Sequence, residues 1–464
     1  VSWPWARRAS AAKSGGWLSA EIAKIARSPE RRDQLVGMGS EPVGSTPEEF
    51  KAVINSNMAK WKPIAKKRES KLIKESRTQT IAALELIIVN ISPKTNWSFI
   101  AVTTEDGVTG WGECSLNGWE PLLIAQSEML AHTARGRNIE TPGNLISYLP
   151  HTPGGLVAHA VKSATEQALV DLRARRAGKS VAAFLTATPR SSVPAYANIN
   201  RGVIDRSPKG FAAGAQRAVA AGYRAIKLAP FDGVASQDAE HTPIEKLIRA
   251  GLDRIFAVRD AVGDTIDVMV DCHWRFDVDR AKTVLREVAP ARPYWMECMT
   301  SEHPSCFSAI AHLTEQAHDL GMRTAGGETI AGADMAEVMC KRRLYDVLMP
   351  DIKYAGGFSG MLAIARVCSD HGIAYAPHNP TGPMAHLASI HACAAAPTLL
   401  WLEHQWDESS LFDELIGGNK APLVDGAFLV PDQPGMGATI NRALASTCPY
   451  QPLPSGAGLD ERLG

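Results

Sequence analysis

The residues able to do chemistry recur at one kind of position. Each stands at the end of a short apolar segment: Lys227, Asp271 followed by His273, Glu297, Glu328, Asp351 and His378. If those segments are parallel strands of a barrel, side chains just past their C-terminal ends converge on one mouth. Any one acidic residue at a loop start could simply cap a helix. Three carboxylates at successive strand ends (Asp271, Glu297, Glu328) are harder to explain that way. Like charges so close are tolerable only with a cation, and an all-oxygen ligand set selects Mg²⁺ or a similar hard ion.

The elements that must carry these groups are readable after Thr80. Ile81 to Ile91 reads as a strand, Ser92 to Asn96 as a break, Trp97 to Thr104 and Val108 to Glu113 as further strands, with Glu105-Asp106-Gly107 as a hairpin turn. Val161 to Ala177 has helical spacing. Beyond Pro194, strand candidates alternate with helical stretches: Ala195–Ile199, Ala225–Leu228, Asp267–Val270, Tyr294–Met296, Arg323–Gly326, Val347–Pro350 and Ala374–Ala376. That alternation argues for an α/β fold with a parallel barrel rather than an open sheet.

Residues 1–76 differ in style. They carry 15 Lys/Arg against 8 Asp/Glu, a net of +7 in a chain whose total is zero. Thr46, Pro47 and Glu49 form a capping box at the start of a helical piece, and Lys62 to Arg77 reads as a basic linker. The zero net charge gives no reason to expect nucleic acid or an acidic membrane as partner. No apolar run approaches the roughly 18 residues of a membrane span. The eight cysteines include no CxxC pair, so they are expected to be reduced thiols. With no leader-like start, the expected location is the cytoplasm.

Two resemblances add to this reading. From Thr80 to Ala443, nearly 80% of the chain, the phrases DGVTGWGE, GYRAIKLA, DVMVDCHW, YWMECM, GGETIAG, LMPDIKYAGGFSG, APHNPTGPMAHLAS and WLEH resemble the mandelate racemase subgroup of the enolase superfamily. The resemblance implies a modified TIM barrel, (β/α)₇β, with an α+β capping domain. The expected division is 1–76 helical extension and linker, 77–190 capping domain, 191–402 barrel and 403–464 a segment returning to the cap. It also implies Mg²⁺ on Asp271, Glu297 and Glu328, and removal of a proton α to a substrate carboxylate. Residues 16–66, with STPEEF the most specific phrase, are similar to the C-terminal tail of Bug-type tripartite-tricarboxylate solute receptors. A tail without its lobes has no ligand cleft, so a fusion remnant is expected there.

Within the resemblance, Lys227 matches the first lysine of a Lys-x-Lys motif and is expected to hold the substrate carboxylate. His378 is expected to be the base, oriented by Asp351 27 residues earlier. The second lysine of the motif is Ala229 here, which disfavours a two-base racemase. The Asp271-x-His273 pattern instead resembles acid-sugar dehydratases of the galactonate type, with His273 as general acid for a departing hydroxyl, taken as pointing to the mouth by strand alternation. Glu403 is expected to bond the substrate carboxylate in protonated form. Asn379 and Arg275 are candidate sugar contacts. Specificity is expected from a mobile loop at Ser92 to Asn96 with Trp97, and from Asn117-Gly118-Trp119. Cys298 stands where the family usually has a second glutamate.

The leading expectation is thus dehydration of an aldonate or aldarate to a 2-keto-3-deoxy acid by a carbon–oxygen lyase, in a symmetric homo-oligomer. A racemase or epimerase of a 2-hydroxy acid, and a silent binding protein, are the alternatives.

Overall fold

The computed structural model describes residues 11–37, 43, 45–139, 155–234, 243–417 and 420–452. The remaining parts of the expected segments (1–10, 38–42, 44, 140–154, 235–242, 418–419 and 453–464) lie outside the described residues. The chain forms two units, residues 1–78 and 79–464.

The first unit consists of helices α1 (Ala11–Arg27), α2 (Pro29–Gly37) and α3 (Pro47–Gln79), the last ending at the unit boundary. The capping box forms: the Glu49 backbone N–H donates to Thr46 Oγ1 at 3.2 Å, and the Thr46 N–H donates to Glu49 Oε2 at 2.8 Å. The backbone of the basic stretch is helical, with Pro63 inside it.

The second unit opens with an antiparallel sheet, β1 (Ile81–Ser92), β2 (Thr95–Thr104) and β3 (Thr109–Glu113). Helices α4 (Glu120–Ala134) and α5 (Gly155–Arg176) cover it around a core that includes Leu84, Ile100, Leu123 and Leu169. The two glycines of TGWGE let β3 approach α5. A Cβ at Gly110 would lie 2.1 Å from the Ala168 carbonyl oxygen, and one at Gly112 1.9 Å from that of Ala164.

After the short helix α6 (Val181–Leu185), eight parallel strands make the barrel: β4 (Ser192–Asn198), β5 (Ala225–Leu228), β6 (Asp267–Asp271), β7 (Trp295–Glu297), β8 (Arg323–Gly326), β9 (Val347–Leu348), β10 (Ala374–Tyr375) and β11 (Leu402–Gln405). Between them run α7 (Pro208–Ala220), α8 (Ile244–Val262), α9 (Val278–Val288), α10 (Phe307–Asp319), α11 (Ala333–Lys341), α12 (Gly357–His371) and α13 (Pro383–Ala395). β11 pairs with β4. Backbone bonds from Leu400 to Tyr375 (2.8 Å) and from Glu403 to Pro377 (3.2 Å) close the ring at β10. This is the (β/α)₇β barrel with an α+β cap and an N-terminal helical extension. A final hairpin, β12 (Leu423–Val424) and β13 (Ala427–Leu429), runs antiparallel to β4. Among the described residues no helix is long and apolar enough to cross a membrane.

Side chains alternate along a strand, and here the alternation stacks a polar layer on an apolar one. Ala225, Met269 and Trp295 belong to one buried cluster; two residues on, Lys227, Asp271 and Glu297 stand one layer higher, at the strand ends.

Candidate active site

Lys227 is the centre of the layer. Its side chain is 1% exposed, and Nζ lies 2.8 Å from Glu297 Oε1, 3.0 Å from Glu403 Oε1 and 3.8 Å from Asp271 Oδ2. Burial alone would push the ammonium down, but Glu297, Glu403 and Asp271 hold its pKa well above the usual value. Glu297 also accepts from Trp295 Nε1 at 3.0 Å, so the apolar layer below fixes its carboxylate. Burial, and the crowding by Asp271, Glu403 and Glu328, push Glu297 well above the ordinary carboxylate range although Lys227 opposes them.

That crowding is the test of whether a cation fits. Ligand atoms of Glu297, Cys298 and Glu328 lie within 4.8 Å of one another. Asp271 is the register partner of Glu297 on the adjacent strand. The buried Cys298 thiol is pushed well above its usual pKa by burial and by Glu302, Glu328 and Glu297, so it offers no thiolate. What remains is a set of carboxylate oxygens short of positive charge, and a hard divalent cation fits it.

Asp351 and His378 are paired directly. His378 Nδ1 is 2.9 Å from Asp351 Oδ2, and its Nε2 is 3.3 Å from Glu328 Oε2. Asp351 is fully buried; burial would raise its pKa, but Lys353 (Nζ at 3.1 Å) and the bond to His378 hold it below the usual range. An N–H donated to that carboxylate leaves Nε2 as the basic nitrogen, facing the mouth. Lys353 was not singled out by sequence reasoning. Its place two residues after Asp351, inside PDIKYAGG, was the available signal.

His273 reaches the mouth, but not by strand alternation. β6 ends at Asp271, and His273 (φ +48°) and Trp274 (φ +58°) follow in left-handed backbone. The turn brings His273 Nε2 to 2.9 Å from Asp271 Oδ2, while its backbone N–H donates to Oδ1 at 2.9 Å. Burial would raise Asp271, but His273 and Lys227 hold it below the usual range.

Glu403, Asn379, the Ser92–Asn96 loop, Asn117 and Arg275 all have partners within the fold. Glu403 lies 3.0 Å from Lys227 Nζ; burial would raise its pKa, but Lys227 and His378 hold it below the usual value, the opposite direction to a protonated acid. Asn198 Nδ2, which the sequence reading missed, also donates to Glu403 Oε1 at 2.6 Å. The Asn379 side-chain amide points inward, donating to His386 Nδ1 (3.0 Å) and the Glu403 carbonyl (2.9 Å) and accepting from Ser389 Oγ (3.1 Å). The Ser92–Asn96 loop is a two-residue turn, because Ser92 and Thr95 are already register partners. Asn96 and Trp97 are buried beneath it. Asn96 donates to Glu120 Oε1 at 3.1 Å, and Trp97 packs on Gly382 and edge-on to Phe412. Asn117 likewise turns inward and accepts the Asn96 N–H at 3.1 Å. Arg275, half-buried, donates to the Val234 carbonyl at 2.7 Å. Ala229 has no side-chain base to offer; its carbonyl accepts from Arg206 at 3.0 Å.

Comparison with known proteins agrees with this architecture. Residues 210–444 match the enolase C-terminal domain-like family, and residues 77–186 match the N-terminal domain family of mandelate racemase and muconate lactonizing enzyme. A D-gluconate dehydratase of Thermoproteus tenax is 32% identical over 279 residues, which is 60% of this chain but only 54% of that protein. A D-galactonate dehydratase of Xanthomonas oryzae is 25% identical over 354 residues, 74% of this chain and 89% of that one. Among solved structures, a mandelate racemase/muconate lactonizing enzyme-like protein from Roseovarius sp. superposes with a TM-score of 0.71 at 25% identity, covering 80% of this chain and 96% of that one. A mandelate racemase/muconate lactonizing enzyme from Sulfitobacter sp. gives 0.72 at 25% identity, covering 80% and 96%.

Proposed function

The chain belongs to the enolase superfamily, carrying both the mandelate racemase/muconate lactonizing enzyme N-terminal domain and the enolase-type C-terminal domain, and from that premise we propose that it dehydrates a sugar acid, an aldonate or aldarate, to a 2-keto-3-deoxy acid. The observation that carries the proposal is the pair of histidines on one mouth: His378 backed by Asp351, and His273 against Asp271. The relatives named D-gluconate and D-galactonate dehydratase support the substrate class. The domain limits of 77–190 for the cap, 191–402 for the barrel and 403–464 for the returning segment belong to the same proposal.

A proton α to a carboxylate is very weakly acidic, so positive charge must wait where the enediolate will form. Asp271, Glu297 and Glu328 would hold Mg²⁺, which supplies that charge as a Lewis acid when bound. Lys227 adds a fixed ammonium on the same side. His378 Nε2 takes the α-proton, and Asp351 keeps Nδ1 as the donor and steadies the imidazolium. His273 gives a proton to the β-hydroxyl as it leaves, since hydroxide alone is a poor leaving group. The enol then ketonises to the 2-keto acid. The balance is loss of one water.

The test is a screen of the purified protein with Mg²⁺ against aldonates and aldarates, read as 2-keto acid trapped by semicarbazide. A hit fixes the stereochemistry at C2 and C3 together. Silence toward every acid, with solvent deuterium entering recovered substrate, would replace dehydration by epimerisation.

A further inference from the structure

Asp351 and His378 each stand just past a strand, β9 or β10, in a loop that leads into a helix with no side-chain cap of its own. α12 starts behind Gly356 and α13 behind Gly382, and neither N-cap residue bonds its own helix through a side chain. A helix start leaves backbone N–H groups unpaired, and buried ones need an acceptor. Here the acceptors come from the small sheet-and-helix layer at the other end of the sequence. Glu166, on α5, accepts the Phe358 N–H at 2.8 Å on one oxygen and the Ser359 N–H at 3.1 Å on the other. Glu113, at the end of β3, accepts the Gly382 N–H at 2.7 Å and the Ala385 N–H at 2.9 Å.

Both carboxylates are buried, and both are built in closely. A Cβ at Gly357 (φ +70°) would fall 2.1 Å from Glu166 Oε2, and one at Gly382 2.8 Å from Glu113 Oε1. Gln167 ties the two together: its Oε1 accepts the Glu113 N–H at 3.1 Å, and its Nε2 reaches the Ile352 carbonyl, next to Asp351, at 3.5 Å. Ser163 Oγ accepts the Gly356 N–H at 3.0 Å. The loops after Asp351 and His378 are therefore suspended from one surface of α5 and β3. These loops begin at the two residues joined by the His378–Asp351 hydrogen bond (2.9 Å).

We propose that Glu113 and Glu166 are positioning residues for the His378–Asp351 pair, each a carboxylate of the capping layer that holds one of the two loops on which the pair is mounted. The kinetic part rests on the reading of that pair as the proton-abstracting group; the structural part does not.

The experiment compares Glu166→Ala and Glu113→Ala with Glu166→Gln and Glu113→Gln in the full chain. Amide hydrogen exchange is followed by mass spectrometry, together with the low-field proton resonance of the His378 Nδ1–H, assigned by its loss in His378→Asn. The expected result is faster exchange in 351–360 for the Glu166 variants and in 378–386 for the Glu113 variants, with β6 and β7 unchanged and the resonance weakened. On a sugar acid that is turned over, kcat falls by about 10²-fold, the scale of an ångström-level misplacement, with KM little changed. The Gln variants, which keep one acceptor oxygen, recover part of the loss. If the Ala variants do not fold, the Gln variants carry the test through the same readouts. Unchanged exchange and an unchanged resonance would overturn the proposal, as would exchange that rises equally across the whole barrel. If the wild type turns over no sugar acid, the function fails on its own, while exchange and resonance still decide the role of the two glutamates.

Discussion

His273 Nε2 lies 2.9 Å from Asp271 Oδ2, so the candidate general acid and a candidate metal ligand share one hydrogen bond. A carboxylate partner favours the protonated imidazole, the form a general acid needs. The same bond would also be made by a histidine that only orients Asp271. The two roles part in a His273→Gln variant. As the acid, its loss should cut keto acid formation by at least ~10²-fold. Exchange of the α-proton with D₂O, which needs only His378, should continue. Loss of both together with weakened Mg²⁺ binding would assign His273 to orientation alone.

His378→Asn should remove elimination and exchange together, by ~10²-fold or more. Asn can still donate to Asp351, so fold and Mg²⁺ affinity should stay near wild type. Calorimetric titration with Mg²⁺ alongside the rate assay checks both halves. Near-normal exchange would move the base elsewhere.

The carboxylate cluster makes a direct expectation about metal. Glu297 is pushed up by its anionic neighbours, so a bound cation relieves repulsion that is otherwise built into the fold. Mg²⁺ at a hundred times its Kd should stabilise the protein by about 2.7 kcal/mol, and chelator should reverse this. Glu328→Gln should lose most of that stabilisation. A thermal midpoint indifferent to Mg²⁺ in the wild type would count against the site.

Much of this was legible because the barrel repeats one arrangement. Strands such as Asp267–Asp271 and Trp295–Glu297 contain apolar runs, Val268-Met269-Val270 and Trp295-Met296, and the polar residue that closes each run, Asp271 or Glu297, is the one at the mouth. β11 is the strand that such reasoning passes over. Leu402-Glu403-His404-Gln405 holds one apolar residue, because Glu403 faces the Lys227 cluster and His404 is buried against Tyr223 and His386. Tertiary pairing with β4 makes it a strand, not its own composition. Asn96, Trp97 and Asn379 show what sequence does not reveal. Polar or amphipathic residues beside a motif resemble ligand contacts until their donors are counted. The Asn96 side chain is taken up by Glu120 and the distant Gln451 carbonyl, and that of Asn379 by His386, Ser389 and the Glu403 carbonyl. Spacing alone cannot reveal such partners.

The glycines of TGWGE yield a stability test. Gly112→Ala places a methyl 1.9 Å from the Ala164 carbonyl oxygen, a backbone atom that can move only with α5. Overpacking of this kind costs about 1–3 kcal/mol, and here the upper end is expected. Because α5 also carries Glu166, turnover should fall further than stability alone explains. Gly107→Asn is the control: its φ is +86°, a conformation Asn tolerates, and no atom lies within 4 Å of the new Cβ. Urea unfolding of the two variants should separate them by about 2 kcal/mol. Equal midpoints would mean that β3 and α5 are free to part.

Buried histidines set the acid limit. Burial pushes His391 down to about 4 and His404 down to about 3, from the usual 6.5, and pushes His386 well below it. A group whose folded pKa is depressed binds its proton preferentially in the unfolded chain. Its contribution is therefore intact above about pH 6.5 and is lost as pH falls toward the folded value, at up to about 1.4 kcal/mol per pH unit. His391 accepts the Ala182 N–H at 3.3 Å, a bond that a glutamine oxygen can also make. His391→Gln removes the proton site and should flatten the acid limb. Measured by urea unfolding, wild type should lose about 2 kcal/mol relative to the variant between pH 7.5 and pH 5. A difference that stays constant across that range would show that His391 takes up its proton as readily in the folded protein as in the unfolded one.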